Sequence, residues 1–512
     1  MPLLASGSRV SIAFARCTHD DPGTIPDGFT TVQDNIAALV VSSFVSSFKH
    51  ASVNFVTTYG YEKGMIMRTT GFSIADNNGY WRITSISNDS GTNNKLSCYS
   101  VPDPLAQFSA AEAASGSTKV QLAMFTLRAT GRNLNLEKNI LESAEIDANR
   151  YKKDVRHGFN RVVGAVGYQL SCADFMDMVR SGIGGQNWYN YTVDSDGDID
   201  FTPGGDGTCT VTKVTTPTYS FEQDGVRPGD TVAFTSCEDS ENNGQNLVLS
   251  VNGNTMVVYD PDDIKVNNDL DETAVITLAG YRIDQETFLQ TFVMERSFTD
   301  IAWNQAFDGC IVDSMSFSVS PEAIIGGTMN ILGMSARDWS ATSIVSAVTT
   351  GKVNTSTNPP LAAFEGLILE GGSVIAVITG LEFTIANTRS LPPVVGSKFA
   401  PTITDGICVP TGTVTCYFTD ATMVEKFVDE TDSSLWIKLY EPGSTTRHFT
   451  IVMPKIKYTG GAIDPPAEGP VTLEMPFMAL GVADQPCKII GGPTVTTHSH
   501  CISFQDSTIP FA

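Results

Sequence analysis

Four carboxylates at alternate positions, Asp194, Asp196, Asp198 and Asp200 in DSDGDID, are the densest set of hard oxygen ligands in the chain and the candidate calcium site. The EF-hand pattern does not fit them: the glycine stands at the fourth position, and the twelfth is Gly205 where a bidentate glutamate is needed. They read first as an acidic turn; a hydrolase built on them would lose turnover when they become Asn. His498, His500 and Cys501 offer nitrogen and sulfur to zinc or nickel, without a fourth ligand at the usual spacing. His19, His50, His157 and His448 are scattered, none beside a Ser or Cys in a nucleophile motif. GIGG (182–185) follows a helix where a phosphate cradle would precede one, so it reads as a C-cap and turn. GxSxG and HExxH do not occur, and paired acids such as Glu142 and Glu145 carry little weight in so acidic a chain. The sequence therefore names no catalytic residue, no metal and no cofactor, and points away from an enzyme.

What positions these residues is a long, weakly charged chain. At 512 residues it exceeds one ordinary core. Apolar residues at 41% with only 17% charged residues give a globular composition, with a surface of Ser, Thr, Asn and Gly. The net charge of −24 sets the whole molecule against binding nucleic acid or anionic membranes. Cysteines 17, 98, 172, 209, 237, 310, 408, 416, 487 and 501 form no CxxC pair, which suggests reduced thiols. The longest weakly apolar piece, IAALVVSSFVSSF (36–48), is too short to span a bilayer, and no leader is evident. Membrane insertion is not expected; a soluble product folded inside the cell is.

Two repeats organise the chain. TGRNLNLE (130–137) and GAVGYQLSCADFMDMV (164–179) return as TGLEFTIA (379–386) and GTVTCYFTDATMVEKF (412–427). Val166, Tyr168 and Leu170 alternate with smaller or polar residues, as do Val414, Cys416 and Phe418, the pattern of a half-buried strand. Each strand runs into a helix start, Asp174 with Asp177 and Thr422 with Glu425, which the pattern assigns as cap and first-turn acid. A second repeat relates 64–87 to 229–252, aligning Asn77, Asn78 and Gly79 with Asn242, Asn243 and Gly244 as hairpin turns. The expected organisation is mainly β: an N-terminal segment (1–50), a small β module (51–105), the first part of lobe 1 (106–200), an inserted β module (201–285), the rest of lobe 1 (286–345), a linker (346–364), lobe 2 (365–485) and a C-terminal tail (486–512).

LRATGRNLNLEKNILESAEI (127–146) with RHGFNRVVGAVGYQLS, then ERSFTDIAWNQAFDGCIVDSMSFSVSPEAIIGGTMNILG (295–333), VVGSKFAPTITDGICVPTGTVTCYFTDATMVEKFVDET, PKIKYTGG and GPVTLEMPFMAL stand in the order of successive family segments. In these the chain resembles the tail tube proteins of long, non-contractile-tailed bacteriophages, the siphophage type, in a two-lobed version. The resemblance spans roughly 125–485 apart from the insertion. It implies two β-sandwich lobes, each with a short helix, in a structural virion protein assembled in the host cytoplasm. Its rings would stack into a hollow tube that conducts DNA from capsid to host cell, and two lobes per chain imply a trimeric ring with pseudo-six-fold symmetry. Implied partners are further copies of the chain, a tape-measure protein, and tail-tip and terminator proteins; DNA would pass through the lumen without specific binding. Loops 138–160 and 387–404 would reach neighbouring subunits and rings. Arg150, Lys152, Lys153, Arg156, Arg389 and Lys398 are the expected contacts, the alternative for the first four being a solvated basic loop. Because phosphate contacts by Lys and Arg bind DNA strongly, the lumen face is expected to be acidic or neutral polar. The two modules are expected on the outside of the tube. The alternative class is a carbohydrate-binding or adhesive β-protein, in which the isolated 64–102 segment would bind glycans.

Overall fold

Alternating side chains write most of this chain as strand. In Ile378–Ala386, Leu381, Phe383 and Ile385 are buried while Glu382 and Thr384 stay exposed, the period of two that a half-buried sheet requires. The computed structural model describes residues 10–17, 33, 36–40, 46–88, 93–101, 111–142, 154–185, 188–193, 199–204, 207–214, 219–259, 274–345, 352–354, 358–374, 378–465, 468–482, 485–488 and 495–508. Among these are thirty-two strands and four short helices, so the fold is mainly β.

Two antiparallel sheets share one strand order. In lobe 1 the neighbours are β1 (Val10–Cys17), β17 (Thr291–Phe298), β18 (Trp303–Val319), β19 (Gly326–Gly333), β9 (Val155–Gln169) and β8 (Ala129–Glu142). In lobe 2 they are β22 (Gly366–Glu370), β26 (Ser433–Tyr440), β27 (His448–Tyr458) continued by β28 (Ala462–Asp464), β29 (Thr472–Ala479), β25 (Val409–Tyr417) and β24 (Ile378–Ala386). Registers match as well: Val166 lies opposite Met329 as Val414 lies opposite Met475. Where β18 runs unbroken, lobe 2 interrupts at Thr459, Gly460 and Gly461. β28 then takes the place of Ser316, Phe317 and Ser318, with Asp464 opposite Thr472 as Ser318 is opposite Gly326.

The lobes join edge to edge. β18 pairs with β24 from Ser314 opposite Ala386 to Val319 opposite Leu381. Phe317 stacks on Phe383 at 4.7 Å with the rings 11° from parallel. One apolar cluster runs through both lobes, from Leu134 and Val166 to Val414 and Met475.

The two modules also share a strand order. β2 (Ala37–Val40), β3 (Ser46–Lys49), β6 (Lys95–Val101), β5 (Gly79–Ser87), β4 (Ile66–Thr70) and β7 (Lys119–Thr126) are neighbours in that sequence. β10 (Ile199–Pro203), β11 (Thr208–Lys213), β14 (Thr255–Tyr259), β13 (Gly244–Asn252), β12 (Thr231–Thr235) and β15 (Val275–Leu278) repeat it. A short helix, α1 (Phe55–Tyr59), precedes β4, another, α3 (Phe221–Asp224), precedes its counterpart β12, and each module has its own core. The Asn-Gly pairs do not form tight hairpins. Asn78 instead braces an eight-residue connection, its amide accepting from Phe72 N–H at 2.9 Å, and Asn243 accepts likewise from Cys237 at 3.0 Å. A side chain that replaces missing backbone bonds explains the residue type as well as positive φ does.

Module 2, although encoded inside lobe 1, docks on lobe 2. Leu247 packs with Leu369, Trp436 and Val452, and Gly229 (φ +93) approaches so closely that a Cβ there would lie 2.8 Å from Val452. β32 (Ser503–Asp506) lies between β16 (Tyr281–Asp284), which leaves the module, and β27. The smaller pairings are β20 (Ser335–Ala336) on β18, β21 (Lys352–Asn354) parallel to β7, β23 (Ser373–Val374) on β22, and the hairpin of β30 (Gln485–Lys488) and β31 (Val495–His498).

The helices depart from the capping expected of them. α2 (Met176–Ile183) and α4 (Thr422–Val428) have no side-chain bond from their N-cap residues, Phe175 and Ala421. The Asp174 carboxylate accepts from Ser171 and Arg128, while that of Asp177 is taken by Arg16 and Arg82. Charged donors outcompete first-turn amides for a buried carboxylate. At α4 it is Asp420 that accepts the Thr422 N–H, at 2.9 Å. The GIGG turn does end α2, through Gly184 at φ 65.

Candidate assembly surfaces

The joint between lobes is the one place where this chain displays how two such lobes recognise each other. Beyond the β18–β24 edge, the 387–408 connection lies across lobe 1. Asn387 donates its amide to the carbonyls of Gly182 at 2.6 Å and Asp313 at 3.0 Å. Arg389 donates Nε to Asp405 at 2.8 Å and Nη1 to the carbonyls of Ser181, at 2.8 Å, and Val312. A cation thus satisfies the carbonyl end of α2, where the helix dipole is negative. Leu391 and Ile403 close over Ile311, Leu332 and Met334.

The same surface on lobe 2 is bare. All eight residues of α2 are buried, and none of α4 is. Phe427 is 37% exposed where its counterpart Val179 is 0%, and Ile463 on β28 is 42% exposed where Phe317 is 2%. Val428 adds to the patch. At the opposite end of the molecule, β8, the counterpart of β24, pairs with β9 and, among the described residues, with no other strand. Its hairpin carries exposed Ile140, Leu141 and Val155. A bare apolar patch at one end and an open strand edge at the other are complementary in kind.

The sheet face turned away from the core is polar from β8 to β29. Asn133, Asn135, Asn330, Ser314, Ser318, Thr384, Thr411 and Thr413 stand on it, cross-linked by bonds such as Asn330 Nδ2 to Ser314 Oγ at 2.8 Å. Its acids include Glu137, Glu382 and Glu474, and the Arg161 guanidinium is held by Glu137 at 3.0 Å. On this face of β8, β9, β19, β18, β24, β25 and β29 no lysine appears.

The residues singled out in the sequence fall in different places. Arg150, Lys152 and Lys153 lie outside the described residues. Arg156 is exposed, 3.3 Å from Asp154, and Lys398 is exposed with its carbonyl accepting the Asn160 N–H at 2.8 Å. Arg389 is buried within its own chain, as above, so its side chain serves the joint between lobes. Asp194, Asp196 and Asp198 lie outside the described residues, while Asp200 accepts the Thr202 hydroxyl at 3.3 Å. Among the described residues no group of three His, Cys, Asp or Glu is placed to hold a metal. His500 lies 3.3 Å from Arg227 Nη1, and the Cys501 thiol turns instead toward Gln285.

Two buried ion networks gave no sequence signal, because their members are far apart in the chain. Burial works to raise the Asp177 carboxyl, but Arg16 and Arg82 hold it well below the usual carboxylate range. Arg227 and Arg282 do the same for Asp284, with Arg282 also bound to Asp230. The first network fastens β1 and module 1 to α2; the second fastens module 2 to β16.

A family model described as phage tail tube protein matches residues 104–479. No match was found among curated proteins.

Proposed function

The chain belongs to the phage tail tube protein family, structural proteins of the virion tail that assemble into a tube, and from that premise we propose that each joint between chains repeats the joint already made between the lobes of one chain. The bare face of lobe 2, with Phe427, Val428 and Ile463, receives β8 of the next chain, and the β8–β9 hairpin crosses it as the 387–408 connection crosses lobe 1. Such a contact is head-to-tail and closes into a ring. Three two-lobed chains give six lobes per ring, a trimer of six-fold appearance, and rings stack into the tube. The observation that carries this reading is the β18–β24 pairing together with the uncovered state of both its counterparts.

In this arrangement the polar face of β8, β9, β19, β18, β24, β25 and β29, on which no lysine stands, lines the lumen. DNA slides along neutral and acidic groups that release no counterions, so passage is not slowed by adhesion. The tape-measure protein occupies the lumen before the DNA does, with tail-tip and terminator proteins at the two ends. Assembly takes place in the host cytoplasm, and the tail is of the siphophage type. Arg150, Lys152, Lys153, Arg156 and Lys398 face the neighbouring ring, where many weak pairs repeated around a ring fix register. The two modules decorate the outside, one per lobe.

Negative-stain electron microscopy of the purified protein, dilute and concentrated, tests the reading. Rings of six-fold appearance with the mass of three chains are expected, along with stacked tubes at high concentration. Particles that stay single at every concentration would overturn it.

A further inference from the structure

The C-terminal ends of the two repeat helices carry different charge. In the joint within the chain, the face of β24 that bears Leu381, Phe383 and Ile385 continues into Asn387 and Arg389, which donate to the carbonyls of Gly182 and Ser181 at the end of α2. Ser181 and Gly182 are small, neutral and buried. The Asn387 amide carries no charge, and that of Arg389 is answered by Asp405 of its own connection at 2.8 Å. This joint therefore closes without any acid on the helix that it covers.

The counterparts on the open surfaces reverse that pattern. Extended past its last matched residues, the repeat sets Leu134, Leu136, Lys138 and Ile140 of β8 in the places of Phe383, Ile385, Asn387 and Arg389. It sets Val428, Asp429 and Glu430 of lobe 2 in the places of Arg180, Ser181 and Gly182. Lys138 is exposed, and so is Ile140. Asp429 and Glu430 are exposed as well, and among the described residues nothing donates to their backbone carbonyls. The Glu430 side chain is 81% exposed even with Lys457 3.6 Å away, while Lys455 is held by Asp432 at 2.8 Å. A cation thus stands on the strand where the internal joint has an amide, and two acids stand on the helix end where it has none.

We propose, on the reading that joints between chains repeat the joint within one, that Lys138 of each chain closes on the Asp429 and Glu430 end of α4 in the next, with Ile140 on Val428, and that this pairing selects the partner. The lysine supplies a donor to the bare carbonyls and a charge opposite to both carboxylates. Set on α2 instead, it would find no acid and would face Arg180, so the wrong partner is disfavoured by absence and by repulsion. One exposed pair contributes little alone, but like charges in its place repel at every joint around the ring.

Charge variants of the full-length protein test this by thermal melting of dilute protein and electron microscopy over a concentration series. Lys138→Glu should melt as the wild type does, since the position is exposed, and should raise the concentration at which rings appear at least about tenfold. Asp429→Lys with Glu430→Lys should do the same from the other side of the joint. All three substitutions in one chain reverse both sides of every joint, and rings should return near the wild-type concentration. Rings from Lys138→Glu at the wild-type concentration, or a triple variant that stays apart although its melt is unchanged, would overturn the pairing while leaving the trimer standing. Wild-type protein that forms no ring at any concentration would overturn the trimer and the pairing together.

Discussion

Replacing Ile463 by lysine separates folding of the chain from joining of chains. Ile463 is 42% exposed, whereas its counterpart Phe317 is 2% exposed beneath Phe383. Complete burial of an isoleucine side chain contributes about 1.5–3 kcal/mol, so covering its exposed part contributes ~1 kcal/mol per joint. Lysine forfeits that and places an ammonium in a covered interface near Arg132 of the facing strand, where an unpaired charge costs several kcal/mol even after relaxation. Together these weaken each joint by roughly 3–5 kcal/mol, a factor of at least about 100 in association. The isolated chain should be almost unaffected, because surface substitutions usually change stability by less than about 0.5 kcal/mol. The assay pairs thermal melting of unassembled protein with sedimentation and electron microscopy of concentrated protein. Expected are an unchanged melt and a loss of rings and tubes. Rings forming from Ile463→Lys at the wild-type concentration would refute the equivalence of the two joints.

Arg389→Met removes a buried guanidinium bound to Asp405 and to the Ser181 and Val312 carbonyls, and should cost about 3 kcal/mol, the low end for breaking a buried pair since Asp405 is partly exposed; urea unfolding reads it, and an unchanged midpoint would contradict the bracing role. Burial pushes the Asp506 carboxyl up to about 6. Its folded value lies above the unfolded one, so the native state holds the extra proton between roughly pH 4 and pH 6, and stability rises as pH falls through that window, by about 3 kcal/mol in all. Asp506→Asn keeps one acceptor oxygen where Ala173 and Thr508 use two, and cannot titrate; urea midpoints from pH 4 to 7 should lose that part of the slope, and identical slopes in both proteins would refute it.

Sequence periodicity was enough to find what depends on neighbours in the chain. Val166, Tyr168 and Leu170 are buried as their alternation requires, and the offset linking Asn78 to Asn243 holds through strand, turn and strand. What depends on distant partners was not legible. Nothing local distinguishes Asp177 as an ion-pair acceptor from Asp177 as a helix-cap acid; the two arginines that decide it come from β1 and β5. Alternation is also the same on a strand at a sheet edge and one in its middle, so β24 and β8 read alike although one is paired on both sides. Arg389 looked like a surface contact because charge predicts exposure; three acceptors within the chain outweigh that tendency.

Having two lobes on one polypeptide alters the kinetics of making a ring. In the proposed trimer, half of the six joints form as each chain folds, at the high effective concentration of tethered partners. Of the other three, two bear the ~4–15 kcal/mol of lost translational and rotational freedom that each association carries, and the third closes the ring within one complex. Nucleation then rises with the third power of subunit concentration instead of the sixth, so a ring appears at lower expression and partial rings are rarer. Covalent linkage also frees the two joints to differ in sequence: Phe317 meets Phe383 inside the chain, whereas the proposed joint would set Ile463 against Leu134.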